Sequence, residues 1–180
     1  MLTDLAEGAA STGSALHATA HLGAHADAPG HVLPGAPPID ERPLDLYVGP
    51  CQVIRVATGL AESIRPDALR VPLEAERLLL ATGTYPDPRR FNDDFAAPSV
   101  ELIDHLHDRG VRLLGVDTPS VDLFAAEDLP VHRRMIRHDM AILEGLVLDR
   151  VPEGLYELIA LPLRLVGFDA SPVRAILRSR

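Results

Sequence analysis

Apolar and polar positions in this chain follow two periods, each sustained only over short stretches. Residues 15–22 (Ala-Leu-His-Ala-Thr-Ala-His-Leu) alternate as a strand does and predict one leading into a histidine-rich segment. Compact apolar runs at 51–56 and 77–82, the second ended by Gly83, predict two more strands. From 98 to 109 the apolar residues Val100, Leu102, Ile103 and Leu106 fall at helical spacing, with Pro98 near the start and Gly110 as the C-cap. Residues 111–116 predict a buried strand closed by the turn Asp117-Thr-Pro119-Ser, and 131–138 a helix. Strand-like runs follow at 143–148, 155–161 and 163–166. Turns rich in Pro and Gly fill the stretch up to Pro50, broken by a short run at 43–48. Residues 1–14 show no periodicity and predict a loosely ordered N-terminal segment, with 15–180 as the domain. Strands outnumber helices and the helices fall between strands, so the pattern predicts a single α/β domain built on a mixed sheet or irregular barrel.

Composition narrows this picture. A chain of 180 residues supports one domain with a proper core. Aromatic residues make up only 4%, with no Trp, so the core must rest on Leu, Val, Ile and Ala. Net charge is −9 and Lys and Arg form no stripe, which argues against nucleic acid as a partner. The single Cys51 has no internal disulfide partner and, set in an apolar run, is expected to be a buried small hydrophobe. The sequence shows neither a secretory h-region nor a run of membrane-spanning length, so a cytoplasmic protein without a membrane partner is expected.

The chemistry concentrates in His21-Leu-Gly-Ala-His25-Ala-Asp27-Ala-Pro29-Gly-His31. Imidazole and carboxylate are the usual ligands of zinc, and of manganese or iron where oxygen contributes. On a straight strand His21 and His25 would lie about 13 Å apart, at roughly 3.3 Å per residue. Two ligands of one ion need donor atoms within about 3–4 Å of each other. A straight helix would align His21 with His25 but turn Asp27 about 240° away from His21. The segment must therefore curl, and Gly23, Pro29 and Gly30 allow it. Spacing alone leaves His31 open as a fourth ligand. Glu144, set in Ala-Ile-Leu-Glu-Gly-Leu-Val-Leu, is the most informative acid elsewhere: such a carboxylate is paired, coordinated, or on the open side of an edge strand. His105 and His107 belong to a solvated helix face, while His132 and His138 bound a basic helical stretch.

The motif at 21–31, then Gly115-Val-Asp-Thr-Pro-Ser120-Val-Asp122, His132 with Glu144, residues 137–149 and Tyr156-Glu-Leu-Ile-Ala-Leu-Pro-Leu163 together resemble the bacterial kynurenine formamidase (arylformamidase) branch of the cyclase-like metal-dependent hydrolases. The resemblance spans about residues 15–178. It implies a swivelling β/β/α fold, a homodimer, and a binuclear site, usually of two Zn2+ per subunit, with Mn2+ or another divalent ion as the alternative. It implies that His21, His25, Asp27, His132 and Glu144 bind metal, with Asp27 and Glu144 bridging, and that His31 is the catalytic acid/base. The implied reaction is hydrolysis of N-formyl-L-kynurenine to L-kynurenine and formate in tryptophan degradation. The alternatives are an isatin-type or other cyclic-amide hydrolase and a metal-binding member impaired in catalysis. Members of that branch usually carry a Pro-rich segment and a pocket-lining aromatic before the first ligand, which residues 1–14 do not obviously supply, so either a late start of the chain or a more open site is expected.

Overall fold

The apolar runs with both faces buried assemble into the parallel centre of one sheet, as such strands require cover on each side. The computed structural model describes residues 2–179. Its strands are β1 (His25–Asp27), β2 (Val48–Arg55), β3 (Ser63–Ile64), β4 (Arg77–Ala81), β5 (Ala97–Pro98), β6 (Leu113–Val116), β7 (Ala141–Glu144), β8 (Gly154–Ile159), β9 (Ala170–Pro172) and β10 (Ile176–Ser179). Helix α1 is Val100–His107 and α2 is Pro130–Arg137. Eight strands form one sheet in the order β10-β8-β2-β4-β6-β7-β1-β9, and β3 and β5 form a small parallel pair. Strands β2, β4, β6 and β7 run parallel, and antiparallel strands complete both flanks.

One face packs Ile54, Leu78, Leu80, Leu114, Val116 and Ile142 against Leu102, Ile103 and Leu106 of α1 and Val131 and Met135 of α2. The other carries Ala26, Val53, Leu79, Leu113, Leu143 and Leu158. Val173, beside β9, and Leu177 of β10 come from opposite ends of the sheet yet pack on this same cluster. That requires the sheet to curl, with this face inside, and the result is a half-barrel with two helices on its outer side. Cys51 is fully buried within the inner cluster, and burial pushes its thiol up to about 12.

Several boundaries move for physical reasons. Residues 15–22 form no strand; 15–19 are exposed, and Ala and Thr offer too little apolar surface to hold one. Helix α1 starts two residues after Pro98, because Ser99 accepts from Leu102 N at 3.1 Å and caps it. The run 143–148 is cut short: β7 ends at Glu144 because Gly145 takes φ +64°. Residues 163–166 also form no strand. They lie between Pro162 and Gly167, mostly exposed, with Leu165 N bonded to Leu163 O at 2.9 Å in a tight turn. The sheet continues instead through β9 and β10.

Gly145 governs how closely β7 and the segment before β1 approach. A Cβ there would lie 2.3 Å from Gly23 O and 2.8 Å from Gly23 C, at a φ that L side chains rarely adopt. Gly145→Ala is therefore expected to cost about 2 kcal/mol or more, read as a lowered urea midpoint. A variant as stable as the wild type would mean that the two backbones are not locked together.

Candidate metal centre

Strand pairing delivers the centre's core. In the antiparallel β1–β7 register His25 sits opposite Glu144 and Asp27 opposite Ile142, so His25, Asp27 and Glu144 share the helix-bearing face. β7 lies between β6 and β1, which removes the edge-strand alternative for Glu144; it is 3% exposed. His132 arrives from the first turn of α2. His21 precedes Gly23, whose φ of +62° turns the chain back towards β1, and His31 ends the 3-10 turn Pro29–His31. The segment is curled as its spacing demands, with a three-residue strand at its centre. Ligand atoms of His21, His25 and Asp27 lie within 4.8 Å of one another, as do those of Asp27, His31 and His132.

Each of three rings is tied off on its outer side. His25 Nδ1 donates to Gly23 O at 2.8 Å, His132 Nδ1 donates to Asp122 Oδ2 at 2.7 Å, and His21 Nε2 donates to Asp169 Oδ2 at 2.9 Å. The second nitrogen of each ring then faces carboxylate oxygens. His21 Nδ1 is 3.2 Å from Asp27 Oδ1, and His25 Nε2 is 3.4 Å from the same oxygen and 3.1 Å from Glu144 Oε2. His132 Nε2 lies 3.2 Å from Asp27 Oδ2 and 3.1 Å from Glu144 Oε1. The two oxygens of each carboxylate thus serve different rings. His25 Nε2 and Asp27 Oδ1 are buried without a properly directed hydrogen bond, although both lie among polar atoms. Buried atoms left so call for a missing partner, and converging lone pairs require a positive one, a proton or a cation. Nitrogen and carboxylate oxygen in this arrangement suit a divalent transition metal.

Titration behaviour follows the same charge imbalance. The Asp27 hydrogen bond raises His21 to about 9 against the opposing effect of burial. Burial would lower His132, but bonds to Asp122, Asp27 and Glu144 carry it up to about 12. Burial likewise opposes the net upward shift of His25, which Glu144 and Asp27 cause. Asp27 moves the other way: burial would raise it, and the His132 and His21 rings hold it well below the usual carboxylate range.

Two acids complete the surroundings. Asp122 lies at the end of a sequence motif, and its carboxylate accepts from Val131 N at 2.9 Å and His132 N at 3.0 Å as well as from the ring. It caps α2, whose preceding residue Leu129 provides no side-chain cap; an acid shortly before a helix that lacks a local cap was the available clue. Asp169 has no such clue in Gly167-Phe-Asp-Ala. It accepts from His21 and, at 3.1 Å, from His31 Nδ1. His138 lies elsewhere, bonded to Asp104 at 2.7 Å and stacked on His107 with centroids 3.9 Å apart. Phe91 and Phe124, both more than half exposed, meet at 5.7 Å on loops leaving the carboxyl ends of β4 and β6.

Comparison with known proteins agrees with this geometry. Residues 4–123 match the family described as putative cyclase, a span that contains the His21–His31 segment and Asp122. The chain belongs to that family. It is 46% identical over 167 residues to a kynurenine formamidase of Bordetella petrii, covering 92% of this chain and 79% of the relative. Among solved structures it is similar to a potential metal-dependent hydrolase with cyclase activity (TM-score 0.81, 31% identity, 89% of this chain and 81% of that one). A predicted metal-dependent hydrolase from Bacillus stearothermophilus follows, with a TM-score of 0.79, 30% identity, and 93% and 82% of the two chains covered. An isatin hydrolase from Labrenzia aggregata aligns at 0.69 and 26% identity, over 87% and 72%. The cyclase-family chain is thus a homologue of kynurenine formamidase with the His and Asp clusters of a metal-dependent hydrolase.

The raised histidines set a pH signature for metal-free protein. Below pH 6.5 both folded and unfolded chains protonate these rings. Between 6.5 and about 9 the unfolded rings lose their protons while folded His21 and His132 keep theirs, so folding stability falls as pH rises. The chelator-treated protein should lose stability steadily across that window, and protein loaded with a divalent metal should not, because a cation held by these rings would take the place of the protons. Urea midpoints at successive pH values measure both, and parallel profiles would contradict the charge account.

Proposed function

We propose that this chain is a metal-dependent arylformamidase that hydrolyses N-formyl-L-kynurenine to L-kynurenine and formate. The observation that carries this reading is the set of three imidazoles, each held by an outer hydrogen bond, aimed at two buried carboxylates that each span two ring positions. The kynurenine formamidase relative supplies the substrate class. In this reading His21, His25, Asp27, His132 and Glu144 would hold the metal, with the two carboxylates each reaching more than one ring. Zinc suits the N and O donors, with manganese as the alternative.

Two such ions supply Lewis acidity, lowering the pKa of water and polarising a formyl carbonyl. The chain's own residues do the rest. Hydrolysis adds water across the formyl C–N bond, so one proton must travel from water to the departing anilide nitrogen. His31 is suited to carry it, since an imidazole can both accept and donate a proton. Its Nδ1 is committed to Asp169, which leaves Nε2 for the transfer. Asp122 fixes the orientation of the His132 ring through its Nδ1, and the Gly23 carbonyl does the same for His25. The exposed Phe91 and Phe124 offer aromatic surface on the loops at the carboxyl edge of the parallel strands, where α/β sheets bind ligands. A homodimer and a cytoplasmic location belong to the same reading; exposed Leu161, Leu163, Val166 and Phe168 give a dimer apolar surface to cover.

Purified, zinc-loaded protein should hydrolyse N-formyl-L-kynurenine far faster than isatin in parallel assays; the reverse preference would favour a cyclic-amide hydrolase. His31→Ala should keep its metal and lose at least about a hundredfold in kcat, the typical weight of a general acid or base. His25→Ala should lose metal. Elemental analysis of both variants separates the roles, and a metal-free His31→Ala protein would make His31 a ligand.

A further inference from the structure

Asp169 groups with His21 and His31, their ligand atoms within 4.8 Å of one another, and one of its oxygens meets both histidines from the side away from Asp27. Oδ2 lies 2.9 Å from His21 Nε2 and 3.1 Å from His31 Nδ1. The two rings are neighbours, with centroids 4.4 Å apart and planes tilted by 46°. A carboxylate oxygen only accepts, so both nitrogens must carry hydrogen. For His21 this leaves Nδ1 as the lone pair facing Asp27. For His31 it leaves Nε2 as the nitrogen that exchanges a proton. One atom thereby sets the tautomers of a ring aimed at the metal centre and of a ring suited to acid–base work.

We propose that Asp169 is a positioning residue that couples His21 to His31 through this shared oxygen; the acid–base part rests on the hydrolase reading above. The residue's place is built rather than incidental. Asp169 O accepts from Ala28 N at 2.9 Å, and the preceding Phe168 O accepts from Ile39 N at 2.9 Å. Gly167 N donates to Asp40 Oδ1 at 2.9 Å. The next residue, Ala170, is the register partner of Asp27 in the β1–β9 pair. The pairing that sets Asp27 therefore also delivers the Asp169 carboxylate to the far side of the His21 ring. The Asp169 side chain is 47% exposed, so its two bonds add little to stability and act through direction. Outer partners of this kind usually weigh 10–100-fold in metal affinity or activity when removed.

The test compares wild type, Asp169→Ala and Asp169→Asn as full-length, zinc-loaded chains. Three readouts are needed: zinc content, kcat and KM on N-formyl-L-kynurenine, and long-range 15N–1H spectra of labelled histidine rings. Asp169→Ala should keep the wild-type zinc content and a KM within about twofold, and lose roughly 10–100-fold in kcat. The His31 ring should leave its single Nδ1–H form for a mixture. Asp169→Asn, which retains an accepting oxygen without charge, should fall between the two and stands in if the alanine variant does not fold. Loss of zinc in Asp169→Ala with the His31 spectra unchanged would make Asp169 a ligand or a support of His21 alone, and would overturn the coupling. Unchanged His31 spectra and unchanged kcat would overturn it as well. If wild type hydrolyses no aryl formamide, the ring spectra still decide the coupling, so the two readings fail separately.

Discussion

The pairing of β1 with β7 sets His25 opposite Glu144 and brings Asp27 onto the same face one pleat further on. A slip of one residue would turn these side chains to the inner face, where Ala26 and Leu143 now pack among hydrophobic neighbours. Much of the surrounding structure holds that register. β9 flanks β1 on its other side, Gly145 allows the backbone of Gly23 to close against β7, and Glu144 Oε1 accepts from Val121 N at 2.7 Å, tying the loop after β6 to the same point.

The register has an electrostatic cost that the fold does not remove by itself. Asp27 and Glu144 are each about 3% exposed and are surrounded by histidines whose outer nitrogens are already occupied. Without a cation the rings must hold protons; with one they must give them up. The outer partners make the second state accessible by fixing which nitrogen keeps its hydrogen. Asp122 shows how economically this is arranged, since the groups that cap α2 also orient the His132 ring.

Legibility in the sequence followed the size of the physical signal. Strands β2, β4 and β6 were visible because burial on both faces demands unbroken apolar runs, and both helices because three or four apolar residues recur at helical spacing. β1, β9 and β10 were not, since three or four residues establish no periodicity; each exists because a neighbouring strand offers free backbone groups. The need for a bend at 21–31 followed from ligand reach alone. His132 and Glu144 lie over a hundred residues away, and only resemblance to a family joined them to the loop. Asp169 left no trace at either level, because a single acid in a loop looks the same whether it faces solvent or two imidazoles.

β1 sits between β7 and β9, and this position has a consequence in time. The segment bearing His21, His25 and Asp27 leaves the ribosome long before either neighbour exists. With β9 ending at Pro172 and β1 at Asp27, about 145 residues separate them, or roughly 7–30 s of synthesis at 5–20 residues per second. For most of that interval the histidine loop has no Glu144 beside it and no His132 across from it, since His132 follows Asp27 by 105 residues and Glu144 comes later still. The nascent chain thus carries His21, His25 and Asp27 before the residues that face them, and the cluster is complete only once β1 has closed against β7 and β9.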